Sequence, residues 1–83
     1  MNLEILTPEK KMFSSDVYGV QLPGIGGKFE VLEKHAPMVS ALGSGTVKVL
    51  IDKTQTTSFT ITGGFAEVFD NKITVLAEGA SEV

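Results

Sequence analysis

The chain is predicted to be all-β, a flattened β-sandwich or barrel of short strands forming one domain over residues 1–83. Three observations carry this. Apolar residues recur at every second position in several separate runs, the period of a strand with one face on a core. Gly- and Pro-containing breaks separate the runs at spacings of about 8–12 residues, as in sandwiches and barrels. β-branched and aromatic residues, which suit a pleated half-buried surface, are frequent in the runs. A chain of 83 residues makes one small domain rather than two.

The elements follow in order. Leu3 and Ile5 alternate with Asn2 and Glu4. Tyr18, Val20 and Leu22 alternate with Val17, Gly19 and Gln21, so they are expected to share one face. The stretch Leu22-Pro23-Gly24-Ile25-Gly26-Gly27 is a turn in which glycine supplies positive φ. Between Lys28 and Ala36, Phe29 and Leu32 are three apart, and Glu30 and Lys34 four apart, which would suit a helix. The segment has no good N-cap and alternates as well through Phe29 and Val31, so a strand leading into a loop is expected. Pro37 restricts Ala36 to extended geometry and makes this a rigid, non-helical corner.

After the Gly43-Ser44-Gly45 break, Val47, Val49 and Ile51 alternate with Lys48, Leu50 and Asp52. A polar turn (Asp52 to Ser58) leads to Phe59 and Ile61, and Gly63-Gly64 breaks the chain again. Phe65 to Phe69 and Lys72 to Glu78 flank Asp70-Asn71, whose residues tolerate the left-handed conformation of a type I′ hairpin turn. On the return strand Ile73, Val75 and Ala77 face one way, and Thr74, Leu76 and Glu78 the other.

Composition removes several function classes. Seven basic against ten acidic residues give a net charge of −3 and a pI near 4.9, with no basic stripe to track phosphates, so no nucleic-acid partner is expected. There is no cysteine, hence no disulfide and no thiolate metal site. No apolar run approaches the roughly 20 residues that cross a bilayer. Met1-Asn2-Leu3-Glu4 lacks the pattern of an export signal. These features predict a soluble, cytoplasmic domain.

Candidate chemistry is sparse. A phosphate cradle at Gly24-Ile25-Gly26-Gly27 would need a helix to open after it, and Gly27-Lys28 is followed by Phe29. One histidine and no cysteine leave no convergent metal ligands. Ser40 lies five residues from His35, but that spacing alone assembles no nucleophilic triad, so His35 reads as a polar corner residue. Lys53, in Ile51-Asp52-Lys53-Thr54, has the look of the modified lysine of a lipoyl or biotinyl carrier domain, an alternative in which that residue sits at a hairpin tip. No catalytic residue and no cofactor are expected.

Taken together, several strings are more specific. Thr7-Pro8-Glu9-Lys10-Lys11-Met12-Phe13 is followed by a strand, a Gly-rich turn, His35-Ala36-Pro37 and Gly43-Ser44-Gly45, then Gly63-Gly64-Phe65-Ala66-Glu67-Val68 and Ile73-Thr74-Val75-Leu76-Ala77. In this order they resemble the N-terminal domain of the epsilon subunit of bacterial F-type ATP synthase, called delta in mitochondria. The resemblance runs from about Met1 to Ala80. It implies a flattened β-sandwich of about ten short strands and a non-catalytic rotor part of the central stalk. That part joins the gamma subunit to the c ring and couples proton translocation to ATP synthesis on the alpha and beta subunits. It also implies a peripheral position on the cytoplasmic face of the bacterial inner membrane. Carried over by position, His35, Met38 and Ser40 fall on the face towards gamma, and Gly26, Gly27, Lys28 and Glu30 on the loop towards the c ring.

This chain departs from the family pattern at three places. Lys34 stands where glycine often precedes His-Ala-Pro. Lys28 stands where many members have an acidic residue, so Glu30 or Glu33 is expected to take over the acidic role. Many members continue into a two-helix C-terminal domain that inhibits ATP hydrolysis. A chain ending at Val83 is expected to lack that helical hairpin and to restore coupling without latching hydrolysis.

Overall fold

The computed structural model describes residues 1–83 and contains ten strands and no helix. They are β1 (Asn2–Leu6), β2 (Lys11–Asp16), β3 (Gly19–Gly24), β4 (Gly27–Leu32), β5 (Met38–Leu42), β6 (Gly45–Leu50), β7 (Thr56–Ile61), β8 (Gly64–Phe69), β9 (Lys72–Ala77) and β10 (Ala80–Glu82). All belong to one continuous sheet in the order β10-β7-β6-β3-β5-β8-β9-β1-β2, with β4 paired to β3 off that path. β3 is the branch point. It pairs along its length with β4, over Gly19 to Gln21 with β6, and with β5 only at Gly24 and Leu42. A single bridge at that junction lets the sheet fold over on itself. Where the path ends, Phe13 of β2 meets Phe59 of β7 edge to face, with ring centroids 5.9 Å apart.

The alternation predicts the interior well. Leu3, Ile5, Val20, Leu22, Val31, Val47, Val49, Phe59, Ile61, Ile73, Val75 and Ala77 all lie in the apolar core, which holds no polar or charged side chain. The segment from Lys28 to Ala36 is indeed a strand followed by a loop, with Val31 fully buried. Asp70 and Asn71 have φ of 52° and 60°, the two left-handed residues of a type I′ turn.

Two details differ from expectation. Tyr18 does not share a face with Val20 and Leu22: it is 46% exposed, while Val17 is buried. The strand starts only at Gly19, because Val17 and Tyr18 turn a corner whose N–H groups are taken by the carbonyls of Met1 and Leu50. Ile51 lies beyond the end of β6, where its N–H meets the carbonyl of Gln55. It packs on the core only from the side.

The corner after β4 shows what the lysine at position 34 costs the backbone. Lys34 has φ of 64°, in the left-handed region that glycine enters without a Cβ clash. An L-residue there costs roughly 1–2 kcal/mol, part of which glycine returns through its larger unfolded-state entropy. Lys34→Gly is therefore expected to raise stability by about 0.5–1 kcal/mol in urea denaturation. A loss of stability would show that the lysine side chain contributes something that its backbone does not reveal.

Candidate functional site

His35 and the glycine loop lie beyond opposite ends of β4, while β5 leads from Met38 and Ser40 to the glycine loop, where Ile25 N–H donates to the Ala41 carbonyl at 3.1 Å. β4 runs six residues from Gly27 to Leu32, about 20 Å at the rise of an extended strand. The glycine loop lies at one end and the His35 corner at the other. This follows from local chemistry: Ile25-Gly26 is a two-residue connection between paired strands, and Gly24 and Gly27 face each other across it. Gly27 has φ of 132° and open space at its Cβ position. The stretch is a hairpin tip, and Ile25, 73% exposed, projects from it.

Gly26, Gly27 and Lys28 thus come together, with Glu30 next on the same outward face as Lys28. Glu30 is not free: Gln21 Nε2 donates to its Oε1 at 2.9 Å across the β3–β4 pair. Glu33 lies in the corner at the far end of β4, so Glu30 and not Glu33 shares the hairpin with Lys28.

At the other end His35 sits in the corner, and its Nδ1 approaches the carbonyl oxygen of Ala36 at 2.7 Å. Met38 and Ser40 are half-buried and pair with Val68 and Ala66, on the inward phase of β5. Ser40 Oγ donates to the Ala41 carbonyl rather than to His35, so no nucleophile–base pair forms. The outward phase of the same strand is more accessible, with Val39 71% exposed. Val39 belongs to an apolar surface that includes Phe65 and Phe69 of β8 and Leu76 of β9, all more than half exposed. Ala41, Phe65, Leu76 and Leu6 are consecutive register partners across β5, β8, β9 and β1. The alternation of β9 carries the signal for this face, since Leu76 falls on the phase opposite to Ile73 and Val75.

Lys53 is the exposed tip of a tight polar turn between β6 and β7. Asp52 Oδ1 accepts from Thr54 N–H at 2.8 Å, from the Thr54 hydroxyl at 2.9 Å and from Gln55 N–H at 2.9 Å. These bonds, the Thr54 N–H first, hold the Asp52 carboxyl below its ordinary range. Asp52 is a turn former.

The one ion-pair cluster is structural as well. Glu4 on β1 lies 3.3 Å from Lys72 of β9 and 3.4 Å from Lys11 of β2, tying three adjacent strands together. Lys72 first and Lys11 second lower the Glu4 pKa from its usual value near 4.5. A depressed carboxylate stabilises the fold above its unfolded value, and that contribution is lost as pH falls through the folded one. Unfolding followed from pH 6 down to about pH 3 should therefore show less acid loss for Glu4→Gln than for the parent. Identical acid profiles would remove Glu4 from the account.

No group of three or more His, Cys, Asp or Glu side chains is placed to hold a metal ion. No helix is long and apolar enough to cross a membrane.

Comparison with known proteins agrees over the whole chain. A family model described as the β-sandwich domain of the ATP synthase delta/epsilon chain matches residues 1–83. ATP synthase epsilon chains of Salinibacter ruber and Pelotomaculum thermopropionicum are each 45% identical over 94% of this chain and 58% of their own length. That of Chlorobium limicola is 43% identical over 95% of this chain and 90% of its own. The chain thus spans little more than half of the first two relatives and nearly all of the third. Among solved structures, a chain of the Euglena gracilis mitochondrial ATP synthase superposes with a TM-score of 0.90 over 96% of this chain and 51% of its own, at 22% identity. One from the central stalk and c ring of the Tetrahymena thermophila enzyme gives 0.84 over 98% and 65%, at 20% identity. These two likenesses establish the fold.

Proposed function

The chain belongs to the family of ATP synthase delta/epsilon chain β-sandwich domains, and from that premise we propose that it is a non-catalytic part of the central stalk, linking gamma to the c ring. The match over residues 1–83 carries this reading. In it, the chain transmits rotation that couples proton translocation to ATP synthesis, and meets the alpha and beta subunits only indirectly. It sits peripherally on the cytoplasmic face of a bacterial inner membrane, held there by the complex. The carrier alternative through Lys53 has no support from the family match.

The placement of the candidate residues suits an adaptor. His35, Met38 and Ser40 lie on the corner and the strand assigned to gamma, and Gly26, Gly27, Lys28 and Glu30 on the hairpin assigned to the ring. The hairpin and the His35 corner, separated by the length of β4, let one rigid body carry torque between two contacts. The exposed apolar face on β5, β8 and β9 is what a constituent of a permanent assembly keeps in reserve for its neighbours.

The chain is expected to co-purify with gamma when the two are expressed together, and His35→Ala to weaken that complex by about tenfold (~1.4 kcal/mol). Charge reversal at Lys28, Glu30 and Glu33 tests the ring-facing side through ATP-driven proton pumping by the reassembled enzyme. Glu30 is expected to matter most of the two acids, because it shares the hairpin with Lys28. Failure to bind gamma would end the stalk reading, and unchanged pumping in all three variants would end the ring assignment.

A further inference from the structure

The corner that carries His35 is tied to the rest of the molecule by a single hydrogen bond. Between the end of β4 and the start of β5, residues 33–37 make one bond outside themselves: Lys34 N–H donates to Asn71 Oδ1 at 2.9 Å, across 37 positions of sequence. The contact of His35 Nδ1 with Ala36 is internal to the corner. Pro37 has no N–H to contribute. Lys34 is also the corner residue in the left-handed region, a conformation that persists only where the surroundings over-determine it.

Asn71 is well placed to do so. It is the second residue of the β8–β9 turn, with φ of 60°, and its carbonyl accepts the N–H of Asn2 from β1 at 3.2 Å. Its backbone is therefore held by the turn and by a neighbouring strand, so its carboxamide projects from a fixed base. Glycine is the favoured residue at this position of a type I′ turn. Asparagine tolerates the same conformation and adds an acceptor, which the Lys34 N–H uses.

We propose that Asn71 is a positioning residue: its side chain holds the Glu33–Pro37 corner in place and so sets how His35 and Met38 are presented to gamma. This rests on the gamma-facing reading above. It adds that the geometry of that face is set from the β8–β9 hairpin, distant in sequence. In the free domain, loss of the bond leaves the corner to sample other conformations, and binding must then order it.

Asn71→Gly keeps the turn and removes the acceptor, while Asn71→Asp keeps an acceptor oxygen. In Asn71→Gly, hydrogen exchange at the Lys34 amide is expected to accelerate by about fivefold or more, with β8 and β9 amides unchanged. Affinity for gamma is expected to fall by about three- to tenfold. Asn71→Asp should restore both. Unchanged Lys34 exchange in Asn71→Gly overturns the proposal, because the bond then constrains nothing. Accelerated exchange with unchanged gamma affinity also overturns it if His35→Ala does weaken binding. Accelerated exchange with gamma binding indifferent to both variants overturns the interface assignment, and the presentation role with it, while the clamp itself stands.

Discussion

Gly64→Ala is expected to destabilise the domain by about 2–6 kcal/mol, the sum of a steric overlap and a backbone strain each worth about 1–3 kcal/mol. Gly64 opens β8 between two partners, opposite Leu42 of β5 and Ala77 of β9. Its φ is 146°, and a Cβ built there would lie 1.9 Å from the Leu76 carbonyl oxygen and 2.9 Å from Ala77 Cα. These are backbone atoms of the neighbouring strand, so no side-chain rotation relieves the overlap. Relief requires that β8 and β9 separate at their paired ends. A domain of this size has roughly 5–15 kcal/mol in total, so the variant should be largely unfolded or melt far below the parent. Gly63 is the control: its φ is 129°, but nothing lies closer than 3.6 Å to its Cβ position. Gly63→Ala therefore carries only the conformational strain, about 1–2 kcal/mol. Urea denaturation of both variants reads the difference. A Gly64→Ala protein within about 1 kcal/mol of the parent would mean that β8 and β9 do not approach as described.

Ile73→Ala is expected to cost about 2–5 kcal/mol. Ile73 is fully buried on β9, paired with Val68 on one side and Leu3 on the other. Removing its side chain takes apolar area from the centre of a core that has no polar side chain to draw water into the space. The neighbours are held by strand pairing on both sides, so the cavity cannot close fully, and the loss exceeds the transfer term alone. Leu76→Ala on the same strand should stay within about 0.5 kcal/mol, since surface changes away from special features are small. Leu76 is 53% exposed. Its effect should appear in assembly, if anywhere. Equal losses at the two positions would contradict the assigned faces of β9.

Much of this was legible in the residues alone. Period-two alternation located β1, the middle of β3, β6, β7 and the β8–β9 hairpin, because each has one face on a core and the other in water. β2 and β10 gave no such signal. Lys11–Asp16 is an edge strand, mostly exposed on both faces, and Ala80–Glu82 is three residues long; neither has a buried face to write a pattern. The phase error at Tyr18 has a related cause. Alternation says which residues share a face only while the chain stays in a strand, and the corner at Val17 and Tyr18 resets it.

The candidate site divides in the same way. His35-Ala36-Pro37 and the glycine run are local strings, so the sequence named both and placed one in a corner and the other in a turn. It could also register that Lys34 departs from the usual glycine. The separation of the His35 corner from the glycine turn depends on the pairing of β4 with β3, and the tether of the corner on Asn71, 37 positions away. The exposed surface of Val39, Phe65, Phe69 and Leu76 depends likewise on which strands lie side by side.

By itself, then, the sequence determined the all-β class, the inward face of most strands, the hairpin turn and the family, since these follow from residue type at short spacing. Only the tertiary structure decided the sheet order, the close approach at Gly64, the bond from Asn71 to Lys34 and the exposed apolar face on β5, β8 and β9. Those depend on contacts between distant segments, and such contacts are set by packing of the whole core rather than by any local preference.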